Sequence, residues 1–271
     1  MTHFSQLFLL FIIYSFLGWI GEVIHALIKE KKWVNRGFLY GPLCPIYGFG
    51  GLAIYIFLSP FNNSYVLLFI TSALLTTTIE YIGSFLLEKL FNTKWWDYSD
   101  QPFNLHGRVC LAYGLLFGLA GTLVVHFVQP FVVNAIMALS EKTLSLLSKI
   151  ICIVFVTDLF FTIKSLLNFQ AYLVKLKEFR ESLQIHLKNE EWFTTKSIEN
   201  LIEEIKDRYS DKKEHFVQYI IEKIDSFKLQ HQQQKRFFDK FPTMTSKVYD
   251  QQLQEIKLSI KNKLKKIIKK K

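Results

Sequence analysis

The stretch NRGFLYGPLCPIYGFGG, Asn35 to Gly51, sets five glycines and two prolines between two long apolar runs. Part of it returns later in the chain. Leu39, Gly41, Cys44, Tyr47 and Gly48 are matched by Leu105, Gly107, Cys110, Tyr113 and Gly114, each at an offset of 66 residues. A pattern L-x-G-x-x-C-x-x-Y-G met twice at one offset reads as a duplicated unit. Each copy follows an apolar run and leads into a Gly-rich one. The unit is therefore helix, loop and Gly-rich helix, and the two copies run in the same direction, as in the parallel repeats of some transporters.

Half of the 271 residues are hydrophobic and 26 are Phe, far more than a water-soluble domain of this length carries. Charge is unevenly placed. Residues 1–172 hold 10 Lys and Arg against 8 Asp and Glu, whereas residues 173–271 hold 23 against 15. The chain is thus expected to be all-α: a polytopic transmembrane domain over 1–172, then a basic, helical, coiled-coil-like cytoplasmic domain over 173–271. The first apolar run, Phe4–Leu27, is not expected to be a secretory signal. No basic residue precedes it, it is too long, and no small-x-small cleavage site follows. Cys44, Cys110 and Cys152 lie in apolar surroundings and are expected as free thiols.

Five spans are expected, at about 4–27, 41–58, 65–90, 109–128 and 150–172. Twenty-four residues rising about 1.5 Å each cross a hydrocarbon core of about 30 Å. The second span is short and opens Gly-Pro-x-Cys-Pro, so its first turns should be irregular. Pro60 and Asn62–Ser64 form a return turn. Gln129-Pro130 is expected to end the fourth span, leaving Phe131–Leu147 as an amphipathic interfacial segment. Lys29, Lys31, Lys32, Arg36, Lys89, Lys94 and Arg108 follow spans one and three, while the loop after span two has no basic residue. That bias places the N-terminus outside and the C-terminus in the cytoplasm, so both copies of the motif enter the membrane from the cytoplasm.

Beyond the spans, Lys175–Leu187, Ser197–Tyr209 and Phe216–Phe238 carry apolar residues at helical spacing among charges, and Phe241-Pro242-Thr243 interrupts them. The last helix has eight Lys among Lys257–Lys271, with Ile256, Ile260, Leu264, Ile267 and Ile268 on one face. It suits an anionic leaflet, where each basic residue contributes ~1 kcal/mol. A coiled-coil partner and a solvated end are the alternatives. No base-stacking module is visible, so nucleic acid is not expected as a partner.

Glu22, Glu80 and Asp158 lie in or near apolar spans. An ionisable group in hydrocarbon costs a few kcal/mol, so it faces the bundle or a wet cavity. Either these groups form a polar or proton-coupled pathway, or they are buried by pairing with Arg36, Arg108 or Lys164. Gly41, Pro42 and Pro45 interrupt backbone hydrogen bonding at the membrane boundary, which is tolerated inside protein or along a water-filled path. The glycines also admit the plainer reading of a helix-packing face. With Asn35, Arg36, Cys44 and Tyr47 these residues make the first half of a candidate pathway or binding site. Gly107 and Cys110 repeat two of them. Asp97, Asn104 and Arg108 add polar groups suited to an anionic headgroup or a partner's helix. Trp95–Tyr98 reads as an aromatic interface anchor. Cys44 and Cys110 lack metal-site spacing and read as small buried hydrophobes, so neither a metal nor any other cofactor is expected. No P-loop, H-E-x-x-H, G-x-S-x-G or kinase signature occurs, and no enzymatic activity is expected.

F-L-G-W-I-G-E (Phe16–Glu22), N-R-G-F-L-Y-G-P-L-C-P-I-Y-G (Asn35–Gly48) and W-D-Y-S followed by P-F-N-L-H-G-R-V-C-L (Trp96–Leu111) carry a family resemblance. The chain resembles the bacterial membrane family named Putative ABC-transporter type IV, or CmpB-type. The resemblance covers about Phe4–Gly121 and, more loosely, the fifth span. It implies a permease subunit in the bacterial cell membrane working with a separate ATPase, which this chain does not supply. Five spans fall short of a complete permease half, so a homo-oligomer or a partner is implied. No substrate follows from it. Two other functions stay open on the residues themselves: a membrane-anchored scaffold or sensor acting through its basic tail, and a membrane-embedded lipid-modifying enzyme.

Overall fold

The structure is a computed structural model describing residues 2–31, 33–58, 63–186, 236–250 and 253–254. Its elements are α1 (Thr2–Glu30), α2 (Pro45–Phe57), α3 (Tyr65–Phe91), β1 (Asn104–Leu105), β2 (Val109–Cys110), α4 (Leu111–Leu123), a π-helical segment (Val124–Val128), α5 (Gln129–Met137) and α6 (Glu141–His186). Among the described residues, four stretches are long and apolar enough to cross a membrane: His3–Lys29, Tyr65–Phe91, Leu111–Met137 and Glu141–Phe179. Their termini obey local rules. Ser64 accepts the Leu67 N–H at 3.3 Å on its hydroxyl and opens α3, and Ser140 does the same for Thr143 at 3.2 Å and opens α6. Beyond the helix ends, Lys31 and Asn92 both take a φ of 51°, the left-handed turn that stops a helix.

Three expected spans change extent. The second is a helix of only 13 residues, about 20 Å long, too short to cross alone. Pro45 supplies the preset φ of a first helical position, and Cys44 ahead of it is extended. The fourth does not stop at Gln129-Pro130. Pro130 falls in the first turn of α5, just after the π-helical segment, and the chain stays helical to Met137. The π register absorbs the missing proline donor, so the expected interfacial segment at Phe131–Leu147 is instead the end of this helix, a turn, and the start of α6. The fifth span is part of a 46-residue helix.

The chain divides into two compact units. The first comprises Met1–Leu90, Lys94–Leu166 and Lys240–Met244. Within it, glycine sets how closely helices approach. A Cβ on Gly48 would run into Ser15 Oγ and the Phe11 ring, and one on Gly51 would meet the Tyr14 ring, so α2 lies directly on α1. The same holds for α4 on α3: a Cβ would sit 3.0 Å from Thr77 Oγ1 at Gly114, 2.9 Å from the Phe69 carbonyl at Gly118, and 2.7 Å from Ser72 Cβ at Gly121. Leu9, Leu10, Tyr14, Val132, Ile136 and Leu144 form one core cluster, and Ile54, Leu58, Leu68 and Val125 another. Ser148 on α6 donates to Ser5 on α1 at 3.0 Å. Ile153, Val154, Phe160 and Phe161 remain exposed, as lipid-facing side chains would.

The second unit comprises Phe91–Thr93, Leu167–Asp239 and Thr245–Lys271. In it the Phe169 ring meets Phe237 at 4.9 Å and Phe238 at 5.6 Å. Ser246 accepts the N–H groups of Val248 and Tyr249 and donates to the Asn92 carbonyl. The helix expected at Lys175–Leu187 is the end of α6, followed as far as His186, and residues 236–240 of Phe216–Phe238 and its continuation are helical. The helices expected at Ser197–Tyr209 and 216–235, the basic run from Lys257, and the turn residues Pro60 and Asn62 lie outside the described residues.

Gly51→Val should lower the thermal midpoint of the detergent-solubilised protein by several degrees, in line with the ~1–3 kcal/mol of overpacking. Gly50→Ala, whose Cβ would find only Thr76 at 3.9 Å, should leave it unchanged. Fluorescence-monitored melting of both variants reads the difference.

Candidate re-entrant site between the two motif copies

The first copy does not stay at the end of α1. Its residues run back along that helix. Trp19 Nε1 donates to Asn35 Oδ1 at 2.8 Å, and the Cys44 N–H donates to the Ser15 carbonyl at 3.0 Å. Trp19 lies eleven residues before Glu30, about 16 Å along the helix. Asn35–Cys44 is therefore irregular backbone at helix depth, and each polar group needs a partner from the protein. Asn35 Oδ1 also accepts the Gly37 N–H at 2.9 Å. Leu43 N–H closes a tight turn onto the Gly41 carbonyl at 2.9 Å. Asp158, in the middle of α6, accepts the N–H groups of Tyr40 at 2.9 Å and Gly41 at 2.8 Å, and the Thr162 hydroxyl at 3.2 Å. A Cβ on Gly41 would be 2.9 Å from that carboxylate, so glycine is what lets it approach.

Lys240 completes the loop from 200 residues away. Its ammonium donates to the carbonyls of Gly37 at 2.6 Å and Leu39 at 2.8 Å, and its own carbonyl accepts from Arg36 Nη1 at 2.7 Å. Nothing in the sequence signalled this lysine.

Glu22 and Glu80 are each held by a tyrosine from a motif region. Tyr47 in α2 donates to Glu22 in α1. Tyr98, from the loop after α3, donates to Glu80 in α3 at 3.1 Å. Aromatic rings connect the pairs. Tyr98 stacks on Tyr113 at 4.8 Å, Tyr113 meets Phe117 at 6.5 Å, and Phe117 meets Tyr47 at 6.1 Å. Glu80 is 7% exposed, and its Oε2 has no hydrogen-bond partner among the described residues. Burial, then the Glu80 and Glu22 carboxylates, push the Tyr98 phenol far above the usual tyrosine range, so it remains a donor.

The second loop supports itself. Asp97 accepts the Ser99 N–H at 3.0 Å and hydroxyl at 2.5 Å. Asn104 donates to the Ser99 and Gln101 carbonyls and accepts the Gly107 N–H at 3.0 Å. Gly107 has a φ of +67°, and a Cβ there would collide with Asp97 and Ser99. β1 and β2 pair antiparallel across this turn. Arg108 pairs with Glu88 at 2.6 Å and lies over the Tyr81 and Phe85 rings, with Nε and Nη1 lacking hydrogen-bond partners among the described residues. Trp95 is not at an interface: it is 1% exposed, against Phe38 at 6.4 Å. Trp96 donates to the Arg108 carbonyl at 3.0 Å.

Of the expected site residues, Asn35, Gly41, Pro42 and Cys44 thus lie in one re-entrant loop, Pro45 opens α2, and Glu22, Tyr47 and Glu80 sit on the tyrosine–carboxylate ladder. Asp97, Asn104 and Gly107 shape the second loop. Cys44 is buried and donates to the Arg36 carbonyl at 3.6 Å, while Cys110 is the extended residue ahead of α4. Among the described residues no group of three or more His, Cys, Asp or Glu is placed to hold a metal. Asp158 bonds loop N–H groups, not Lys164, which is exposed. The sequence marked Tyr98 only as an interfacial aromatic. Its pairing with Glu80, 18 positions earlier, has no spacing signal.

The family model described as Putative ABC-transporter type IV matches residues 9–163, from α1 into α6 and across both motif copies. The chain belongs to that family. It is a multi-pass membrane protein of a transporter-related family. No curated protein and no solved structure matches it. The family match ends at residue 163, so Lys240 lies outside it.

Asp158→Asn puts an amide where two N–H donors need acceptors and should destabilise the loop by about 1–3 kcal/mol. Faster hydrogen exchange at Tyr40 and Gly41 than in Thr162→Ala is the expected outcome, read by mass spectrometry on the purified protein.

Proposed function

We propose that the chain is the permease subunit of an ABC-type transporter, and that the two motif copies and the tyrosine–carboxylate ladder line its pathway. One observation carries the reading: Glu80 is buried within a span, bound on one oxygen by a tyrosine from a motif loop and open on the other. A carboxyl group placed so in hydrocarbon carries an insertion cost, and such a group is by default a station for an ion, a proton or a polar solute. The ladder to Glu22–Tyr47 gives that passage a second polar station, reached through aromatic rings. The N-terminus lies outside and the C-terminus in the cytoplasm, following the loop charges. The hydrolase is a separate ATPase docking on the cytoplasmic side, and the chain adds no enzymatic chemistry of its own. The family to which the chain belongs supports this division of labour.

Cells lacking the protein, complemented with wild type, Glu80→Gln or Tyr98→Phe, are compared by untargeted measurement of small-molecule uptake and release. A compound whose flux follows the wild-type protein should fall at least tenfold with Glu80→Gln and a few-fold with Tyr98→Phe. Wild-type flux in both variants removes the ladder from the pathway. Co-purification in mild detergent should bring down a nucleotide-hydrolysing subunit, and its consistent absence counts against the ABC assignment.

A further inference from the structure

Glu22 on α1 and Glu80 on α3 lie close enough for their charges to act on one another, and both act on the Tyr98 and Tyr113 phenols. Acidic and phenolic side chains from α1, α3, α4 and the loop after α3 thus meet in one place. Among the described residues neither glutamate has an ion pair, and the donors they do have, Tyr47 and Tyr98, are neutral. The basic groups of the second loop are engaged elsewhere: Arg108 with Glu88 at 2.6 Å, and Lys94 with the His106 carbonyl at 2.9 Å. Two carboxylates gathered in a region of low dielectric favour any positive charge that reaches them.

The approach to them is aromatic. His25 of α1 is exposed and meets Tyr113 edge-on at 6.2 Å. Tyr113 and Phe117 are half-buried, whereas Glu80 is 7% exposed. The open side of the cluster is therefore made of rings and the closed side of acid. Ring faces attract cations and also bind carbon surface. A multivalent metal needs several ligating side chains, and among the described residues no group of three or more His, Cys, Asp or Glu is placed to hold one. Glu80 Oε2, which no described residue satisfies, calls instead for an N–H donor.

We propose that the Glu22–Glu80 cluster is a binding site for an organic ammonium ion with an apolar or aromatic body. The ammonium donates to Glu80 Oε2, both carboxylates balance its charge, and its carbon body rests on Tyr113 and Phe117. Tyr47 and Tyr98 are positioning residues that hold the two glutamates by donating their phenols. Charge and carbon surface are both needed. A neutral molecule of the same shape forgoes the carboxylates, and an anion is repelled by them. This deepens the permease reading by naming its class of cargo and rests on that reading for its purpose, whereas binding itself is measured apart from flux.

The full chain is reconstituted in phosphatidylcholine nanodiscs, and binding of tritiated 2-phenylethylammonium is measured against empty nanodiscs. Binding should saturate with a Kd below about 1 mM. Unlabelled 2-phenylethylammonium should displace the label, and equal concentrations of 2-phenylethanol or 3-phenylpropanoate should not. Glu80→Gln should weaken binding by about tenfold or more, Glu80→Asp by less, and Phe117→Leu by about a few-fold. No saturable binding to the wild-type protein overturns the site. Displacement by 2-phenylethanol as strong as by the ammonium overturns charge recognition without recourse to any variant, and Glu80→Gln binding within about twofold of wild type overturns the role of Glu80. The two readings separate cleanly. Binding that depends on Glu80 in a protein that moves no compound keeps the site and discards the permease. Flux that depends on Glu80 without ammonium binding keeps the permease and overturns this ligand class.

Discussion

Irregular backbone among membrane helices has no water to complete its hydrogen bonds, and everything distinctive in this protein follows from meeting that demand. Asn35–Cys44 descends beside α1 and takes its partners from four directions. Ser15 offers a backbone carbonyl, Asn35 a side-chain oxygen, Asp158 both carboxylate oxygens, and Lys240 an ammonium. Three of these lie in other parts of the chain. The loop is thus a joint where α1, α6 and the segment at Lys240 are bound together, which makes it sensitive to any of them.

The two copies of the motif solve the same problem differently. Both open a 13-residue helix just after a cysteine with extended backbone, and both seat that helix on its partner through glycines. The loops ahead of them diverge. The second has a β-hairpin, an Asp97 turn and an Asn104 brace of its own, so it borrows little. The first lacks these and relies on distant side chains. Paired positions diverge as well: Tyr47 donates to a glutamate, whereas Tyr113 stacks on another tyrosine. Glu22 meets a phenol, whereas Glu88 meets a guanidinium. Unequal polar partners around the two motifs give one polar ladder among the described residues and not two matched sites.

Hydrophobic run length and the glycine-rich segments are enough to specify a helical membrane architecture from the sequence. They located α1 and α3 to within a few residues, because a long apolar run without breakers has one low-energy form in hydrocarbon. They misplaced the end of the fourth span. Pro130 is a strong breaker in isolation, but a π-helical turn ahead of it shifts the register and removes the need for its donor. Trp95 was misread for a related reason: interfacial and buried tryptophans share a composition, and only packing separates them.

Glu22, Glu80 and Asp158 were legible as costly residues in apolar runs, since the expense of an ionisable group in hydrocarbon is a property of the residue and its flanks. Which partner each one takes was not. Tyr98 reaches Glu80, Asp158 reaches the Tyr40 and Gly41 amides, and Lys240 reaches the opposite side of the same peptide. None of these pairs has a sequence period, because each depends on how deep a loop descends and where a distant segment returns. The sequence by itself determined the membrane class, the paired Gly-rich motifs and the presence of buried charge. The tertiary structure alone decided how that charge is compensated, because hydrogen bonds act over about 3 Å in space, whatever the separation along the chain.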